Sequence, residues 1–169
     1  MPLNLIKKYN NLLDLGAYNN QQRKQSLLAI FNRDIATNKN FAFNGKKITP
    51  TPQKDGQIKM ELLYFHLTTI VEDYVTKNRV FDIHRAVRLH WIKHHIDFKK
   101  KNNILHFSIK EPAGIRTYIY DKDEKYVIIL EPLRNGIEYY LITAYHLRGK
   151  DAKRNKIIKK YKRKLDELH

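Results

Sequence analysis

"ILHFSIKEPAGIRTYIYDKDEKYVIILEPLRNGIEYYLITAYHL", residues 104–147, is the stretch that decides the fold. Within it "ILHFSIK", "IRTYIYD", "KYVIILEP" and "IEYYLITAYHL" are rich in β-branched and aromatic residues and carry a period of two, the pattern of strands. Turn-forming groups separate them: Pro112-Ala113-Gly114, Asp121-Lys122-Asp123 and Asn135-Gly136. Connections this short join antiparallel neighbours, because a parallel crossover needs about a dozen residues or more. The stretch therefore predicts a four-stranded antiparallel meander.

Alternation assigns faces to these strands. Leu105, Phe107 and Ile109 share one side, opposite His106 and Ser108. Ile115, Thr117 and Ile119 oppose Arg116, Tyr118 and Tyr120, while "KYVIILEP" is apolar on both sides, as a central strand covered on both faces would be. In the last strand Tyr139, Leu141, Thr143 and Tyr145 alternate with Tyr140, Ile142, Ala144 and His146. One face is thus apolar. The other offers Arg, Tyr, Ser, Thr and His, either as an ordinary polar surface or as a platform on which bases stack and phosphates pair.

Working outward, helical spacing predicts helices over 3–15 and 21–35. Between 37 and 56 the Asn44-Gly45 turn signal and two Thr-Pro steps mark an irregular arm. A helix over 57–75 follows, with Asp55 as its N-cap, and another over 80–97. The final segment, "DAKRNKIIKKYKRKLDELH", places Ile157, Ile158, Tyr161, Leu165 and Leu168 on one stripe of an amphipathic helix. The predicted class is α+β: N-terminal helices, the meander and a C-terminal amphipathic helix. Residues 1–56 form a helical region with the arm, and 57–169 form the α+β unit against which it packs.

The helix over 80–97 holds four of the eight histidines and the single tryptophan. At 100° per residue Val80, Val87, Trp91 and Phe98 fall on one line and should face the core. His84 and His95, with Arg88 beyond them, edge that line on one side; His94 and His90 edge it on the other. His90 and His94 have the i, i+4 spacing of a metal pair, but Trp91 stands where the HExxH motif needs its glutamate. Each histidine is either a packed boundary residue or a group titrating near neutral pH beside arginine.

Net charge says more about partners than about fold. The chain carries 33 Lys and Arg against 17 Asp and Glu, a net charge of +16, which points to polyanions and above all to nucleic acid. No run of about 18 apolar residues is present to cross a membrane, and the first residues lack the order of a secretory signal. Cysteine is absent, which removes disulfides and thiolate zinc sites and fits a cytoplasmic protein. A His/Arg helix beside an Arg/Tyr sheet has what metal-free RNA cleavage needs: a base for the ribose 2′-OH, an acid for the 5′-oxygen and cations for the phosphate. That chemistry calls for no metal and no cofactor, and the chain has no glycine-rich phosphate loop.

"RVFDIHRAVRLHWIKHHI" (79–96), "TYIYDKDEKYVIILEP" (117–132) and "YYLITAYHL" (139–147) together resemble the phage- and toxin-associated nucleases of the barnase–EndoU–colicin–RelE superfamily. The resemblance spans about residues 79–169. It implies an endoribonuclease that cleaves tRNA or other structured RNA without metal, with His84, Arg88, His95, Arg116, Thr143 and Tyr145 as the catalytic set. His90, His94 and His146 are the alternative histidines. RNA would be steered by Lys99, Lys100, Lys101, Tyr118, Tyr120, Arg148, Lys159 and Lys160. Two other partner classes remain open: nucleic acid bound without cleavage, and an acidic antitoxin or inhibitor protein.

Overall fold

A computed structural model describes residues 2–55 and 60–169. The chain is α+β. It opens with one helical turn, α1 (Pro2–Leu5), where spacing predicted a helix over 3–15. Asn4 explains the difference. Its side chain donates to the Asp14 carbonyl (2.9 Å) and Ser26 Oγ (2.8 Å) and accepts from the Asp14 amide (2.8 Å), closing a loop in place of a helix. That loop delivers Leu13 and Leu15 to the core. α2 (Asn20–Phe31) starts at a capping box, in which Asn19 and Gln22 each bond the other's backbone amide, and widens into a π-type turn over Asn32–Ala36.

The stretch expected to be an irregular arm supplies two strands, β1 (Ala42–Phe43) and β2 (Lys46–Pro50). Asn44 and Gly45 join them with φ of 50° and 72°, the left-handed pair that Asn-Gly provides. α3 (Met60–Thr68) is shorter than the predicted helix over 57–75. It stops where Thr68-Thr69-Ile70-Val71 begins, since branching at Cβ favours extended backbone. The hairpin β3 (Thr69–Asp73) and β4 (Asn78–Phe81) follows. The expected helix start at 57–59, which Asp55 was to cap, lies outside the described residues.

The predicted helix over 80–97 is two short ones, α4 (Ile83–Ala86) and α5 (Trp91–Ile96). Between them the amides of Arg88, Leu89 and Trp91 bond carbonyls three residues back at 3.1, 3.2 and 2.9 Å. Each such step turns the chain about 120° rather than 100°, so the buried face is rephased. Ala86, Leu89, Trp91, Ile92, His95 and Ile96 go inward, whereas Val80 lies in β4 and Phe98 is 40% exposed.

β5 (Ile104–Glu111), β6 (Gly114–Asp121), β7 (Tyr126–Pro132) and β8 (Glu138–His146) pair antiparallel in sequence order. β2 adds to them in parallel along β8, making a six-stranded sheet in the order β1-β2-β8-β7-β6-β5. Strand pairing therefore runs across position 56. The sheet curls until Phe43 on one edge strand meets His106 on the other, with ring centroids 4.9 Å apart. Its inner face packs on α2, α3 and α5 through Phe31, Leu67, Ile92, Ile128 and Tyr139.

The outer face is covered as well. α6 (Gly149–Lys153) and α7 (Lys156–Tyr161) replace the single helix predicted for the C-terminal segment, and left-handed Asn155 (φ 49°) separates them. Ile157, Ile158 and Tyr161 seal a second cluster with Phe107, Tyr118, Tyr120 and Val127. The tail then returns over β5, where the Leu165 amide bonds the Ser108 carbonyl at 2.7 Å. No described helix is long and apolar enough to cross a membrane.

Candidate functional site

β8 carries a bulge. Ile129 of β7 faces Thr143 and its neighbour Leu130 faces Leu141, so Ile142 is an extra residue and the alternation of faces reverses there. Tyr139 and Leu141 point inward before it; Ala144 and His146 point inward after it, leaving Thr143 and Tyr145 on the outer side. β2 ends at Pro50 opposite Leu141, so the second half of β8 has no strand beyond it. α4 packs against that bare edge.

Asp82 sets the start of α4. It accepts from the His84 amide at 3.1 Å, the ordinary role of an N-cap aspartate. Arg85 Nε and Arg148 Nη2 stand 3.9 and 3.8 Å from its two oxygens. Arg85 reaches over the edge of the sheet: its Nη1 donates to Thr143 Oγ1 and to the His66 carbonyl, both at 3.2 Å. Its guanidinium also lies 5.4 Å from the centre of the Tyr145 ring. Arg88 folds back to donate to the His84 carbonyl at 2.8 Å and covers the Trp91 ring.

Two polar atoms in this corner are buried and lack a protein partner: Arg88 Nε and His146 Nδ1. Such atoms are costly where nothing binds them and useful where a ligand does. Burial, then the positive charges of Arg88 and Arg148, holds the His146 imidazole down at about 4, so it is a neutral base at pH 7. His84 is exposed beside it. The edge thus gathers His84, Arg88, His146 and Arg148, with Arg85 linking them to Thr143 and Tyr145. Arg85 and Asp82 were missed in the sequence. Asp82 could have been found as a cap signal just before "IHRA"; the bulge that turns His146 inward has no signal of its own.

The other sequence candidates lie elsewhere and need correction. His95 does not edge the His84–Arg88 surface; it is 1% exposed. Its Nδ1 lies 2.7 Å from the Trp91 carbonyl oxygen and its Nε2 lies 3.0 Å from a carboxylate oxygen of buried Asp121. Tyr9 and Lys100 bond the same carboxylate, and Lys100 also pairs with Asp123, so Lys100 is a structural cation. His90 is buried and donates to the Lys8 carbonyl, and His94 stacks on Tyr9. Arg116 pairs with Glu131 at 3.3 Å, away from the edge.

Tyr118 and Tyr120 are no stacking platform, because the stripe of α7 covers them; they are 1% and 5% exposed. The Tyr118 hydroxyl and Lys160 both bond Glu111, which ties α7 to the sheet. Lys99, Lys101, Arg148 and Lys159 remain exposed. Among the described residues, no group of three or more His, Asp and Glu side chains is placed to hold a metal ion. No family model, curated protein or solved structure matches the chain.

Proposed function

We propose that this protein is a metal-independent endoribonuclease of the barnase–EndoU–colicin–RelE type, acting in the cytoplasm on tRNA or other structured RNA. On this reading β5–β8 are the nuclease's four-stranded meander and α6–α7 its closing helical segment. The observation that carries the proposal is the pair of unpartnered atoms at the bare edge of β8, His146 Nδ1 beside Arg88 Nε, with His84 exposed next to them.

His146 takes the proton of a ribose 2′-OH. The 2′-oxygen attacks the adjacent phosphorus, the bond to the 5′-oxygen breaks, and His84 protonates that leaving oxygen. The products are a 2′,3′-cyclic phosphate and a free 5′-hydroxyl. Arg88 and Arg148 stabilise charge on the phosphate oxygens, and Arg85 holds Thr143 and Tyr145 in place at the outer rim. Burial, then the charges of Arg88 and Arg148, depresses His146; a bound phosphodiester offsets the cationic share and so raises the pKa of this base. An acidic inhibitor protein covering this edge is the protein partner that fits such an enzyme.

The test is incubation with total RNA in EDTA, followed by end-group analysis. Fragments ending in 2′,3′-cyclic phosphate should appear and fall by about 10²–10⁴-fold in His146→Ala and His84→Ala. Cleavage that needs added divalent metal refutes the mechanism. Intact RNA, bound tightly and in a salt-sensitive way, supports instead a basic RNA-binding protein. That second function is favoured by the exposed cations Arg154, Lys156, Lys159 and Arg163 along α6 and α7.

A further inference from the structure

On the other side of α5 a cleft of about 630 Å³ opens between the segment Lys7–Asn10, the turn at Arg33–Asp34 and the end of α5. It shares no residue with the β8 edge. Five cations and two carboxylates line it, and both carboxylates are already engaged, Asp34 by Arg33 and Asp97 by Lys93. Among the described residues Lys7, Lys8 and Lys99 pair with no acid, so the cleft presents three uncompensated ammonium groups.

Its aromatic wall is prebuilt. His94 lies parallel to Tyr9, with ring centroids 4.2 Å apart and planes 7° from each other, and both line the cleft. Tyr9 is in turn anchored by its hydroxyl to buried Asp121 and rests on Trp91 at 5.1 Å. Burial above all keeps His94 neutral at pH 7, with a value of about 4, so it offers a π-face rather than a further cation. His90, 5% exposed, also lines the cleft. Its Nε2–H is spent on the Lys8 carbonyl at 2.9 Å, which leaves Nδ1 as an acceptor, buried and without a protein partner.

A flat π-face, a lone-pair acceptor needing an N–H and three free ammonium groups together describe one ligand chemistry. We propose that this cleft is a nucleotide site: an amino-bearing base stacks on His94, its exocyclic N–H reaches His90 Nδ1, and its phosphate is held by Lys7, Lys8 and Lys99. The nucleotide comes either from an RNA strand or from a free mononucleotide. The inference goes beyond the cleavage proposal and does not depend on it.

Calorimetric titration with AMP, adenosine and inorganic phosphate tests it, using His146→Ala protein so that binding is read apart from any cleavage. AMP should bind at least about tenfold tighter than adenosine or phosphate alone, since stacking and charge act together. His94→Ala should weaken AMP by about tenfold or more, while His94→Phe, which keeps a ring on Tyr9, stays within about threefold. Replacing Lys7, Lys8 and Lys99 by Gln should weaken AMP and leave adenosine unchanged. A 2′-O-methyl tetra-adenylate, which 2′-OH attack cannot cleave, separates the sources. Binding tighter than AMP and lost with His94→Ala identifies an RNA strand; tetranucleotide binding indifferent to His94→Ala, with AMP still sensitive, identifies the free nucleotide. AMP binding no tighter than phosphate, or AMP binding unchanged in a folded His94→Ala protein, overturns the proposal.

Discussion

Asp121→Asn is the substitution that most directly probes what holds the sheet to the helices. The carboxylate is fully buried and accepts from Tyr9, from His95 Nε2 (3.0 Å), from Lys100 (2.7 Å) and from the amides of Asp123 (3.0 Å) and Glu124 (3.2 Å). The amide keeps the shape but removes the charge, and it turns a donor toward groups that are themselves donors. Removing one partner of a buried ion pair costs about 3–5 kcal/mol. Lys100 is one-fifth exposed and can lean on Asp123, which places the expected loss near the lower bound, about 3 kcal/mol. In a chain of this length that lowers Tm by about 6–12 °C.

Trp91, the single tryptophan, lies against Tyr9 and Tyr126, so its fluorescence follows urea unfolding at the relevant place. Burial raises the Asp121 pKa, but hydrogen bonds from His95, Lys100 and Tyr9 outweigh it and hold the carboxyl well below the usual range. A depressed carboxylate stabilises fully above its unfolded pKa of about 4 and loses that contribution as pH falls below it. The gap between wild type and Asp121→Asn should therefore be widest near neutrality and narrow below about pH 4. A loss under about 1 kcal/mol at pH 7, or a gap that widens on acidification, would refute the assignment of His95 and Asp121 to structure.

Other outcomes are open to direct measurement. Arg85→Met strips donors from the His66 carbonyl and Thr143, and should cost about 1–3 kcal/mol by thermal denaturation; on the proposed ribonuclease reading it also slows cleavage. His66 is held at about 4 by burial and by Arg79 and Arg85, so the unfolded chain takes up its proton first. Its contribution is complete above about pH 6.5 and lost as pH falls toward 4; His66→Gln should flatten the stability profile across that window. Gly45→Ala meets no atom within 4 Å yet sits at φ 72°, so a loss of about 1 kcal/mol in urea unfolding is expected from backbone strain alone.

Strand pattern and turn signals between 104 and 147 are local properties, and that stretch holds β5–β8, four strands of a six-stranded sheet rather than a sheet of their own. Nothing local announces that β2 will lie parallel to β8, because that pairing joins residues far apart in sequence and leaves its mark on neither strand alone. The candidate edge was readable in part. His84 and Arg88 follow from helical phase as long as α4 is regular, but the tight turn after Ala86 carries His95 into the core, beyond the reach of a 100° wheel. Alternation put His146 and Tyr145 on opposite faces, as observed, but the bulge at Ile142 reverses which face each meets. Tyr118 and Tyr120 look like a surface when the sheet is taken alone; the apolar stripe on α7 that covers them is legible in the sequence, but where it docks is not.

The parallel β2–β8 contact also has a temporal side. Thr49 and the Tyr139 carbonyl it bonds are 90 positions apart in sequence, whereas β5 to β8 are joined by tight turns. Closing so long a loop is entropically expensive before other contacts repay it, so the meander should condense first and the β1–β2 hairpin should dock late. The same order in reverse marks the hairpin as the first region to exchange its amide hydrogens, ahead of any opening of β6 and β7. Until it docks, the first half of β8 is an unpaired edge, free to accept a strand from another molecule. The Lys46-Lys47 pair at the start of β2 places two positive charges beside that seam and disfavours a second copy of the same hairpin there.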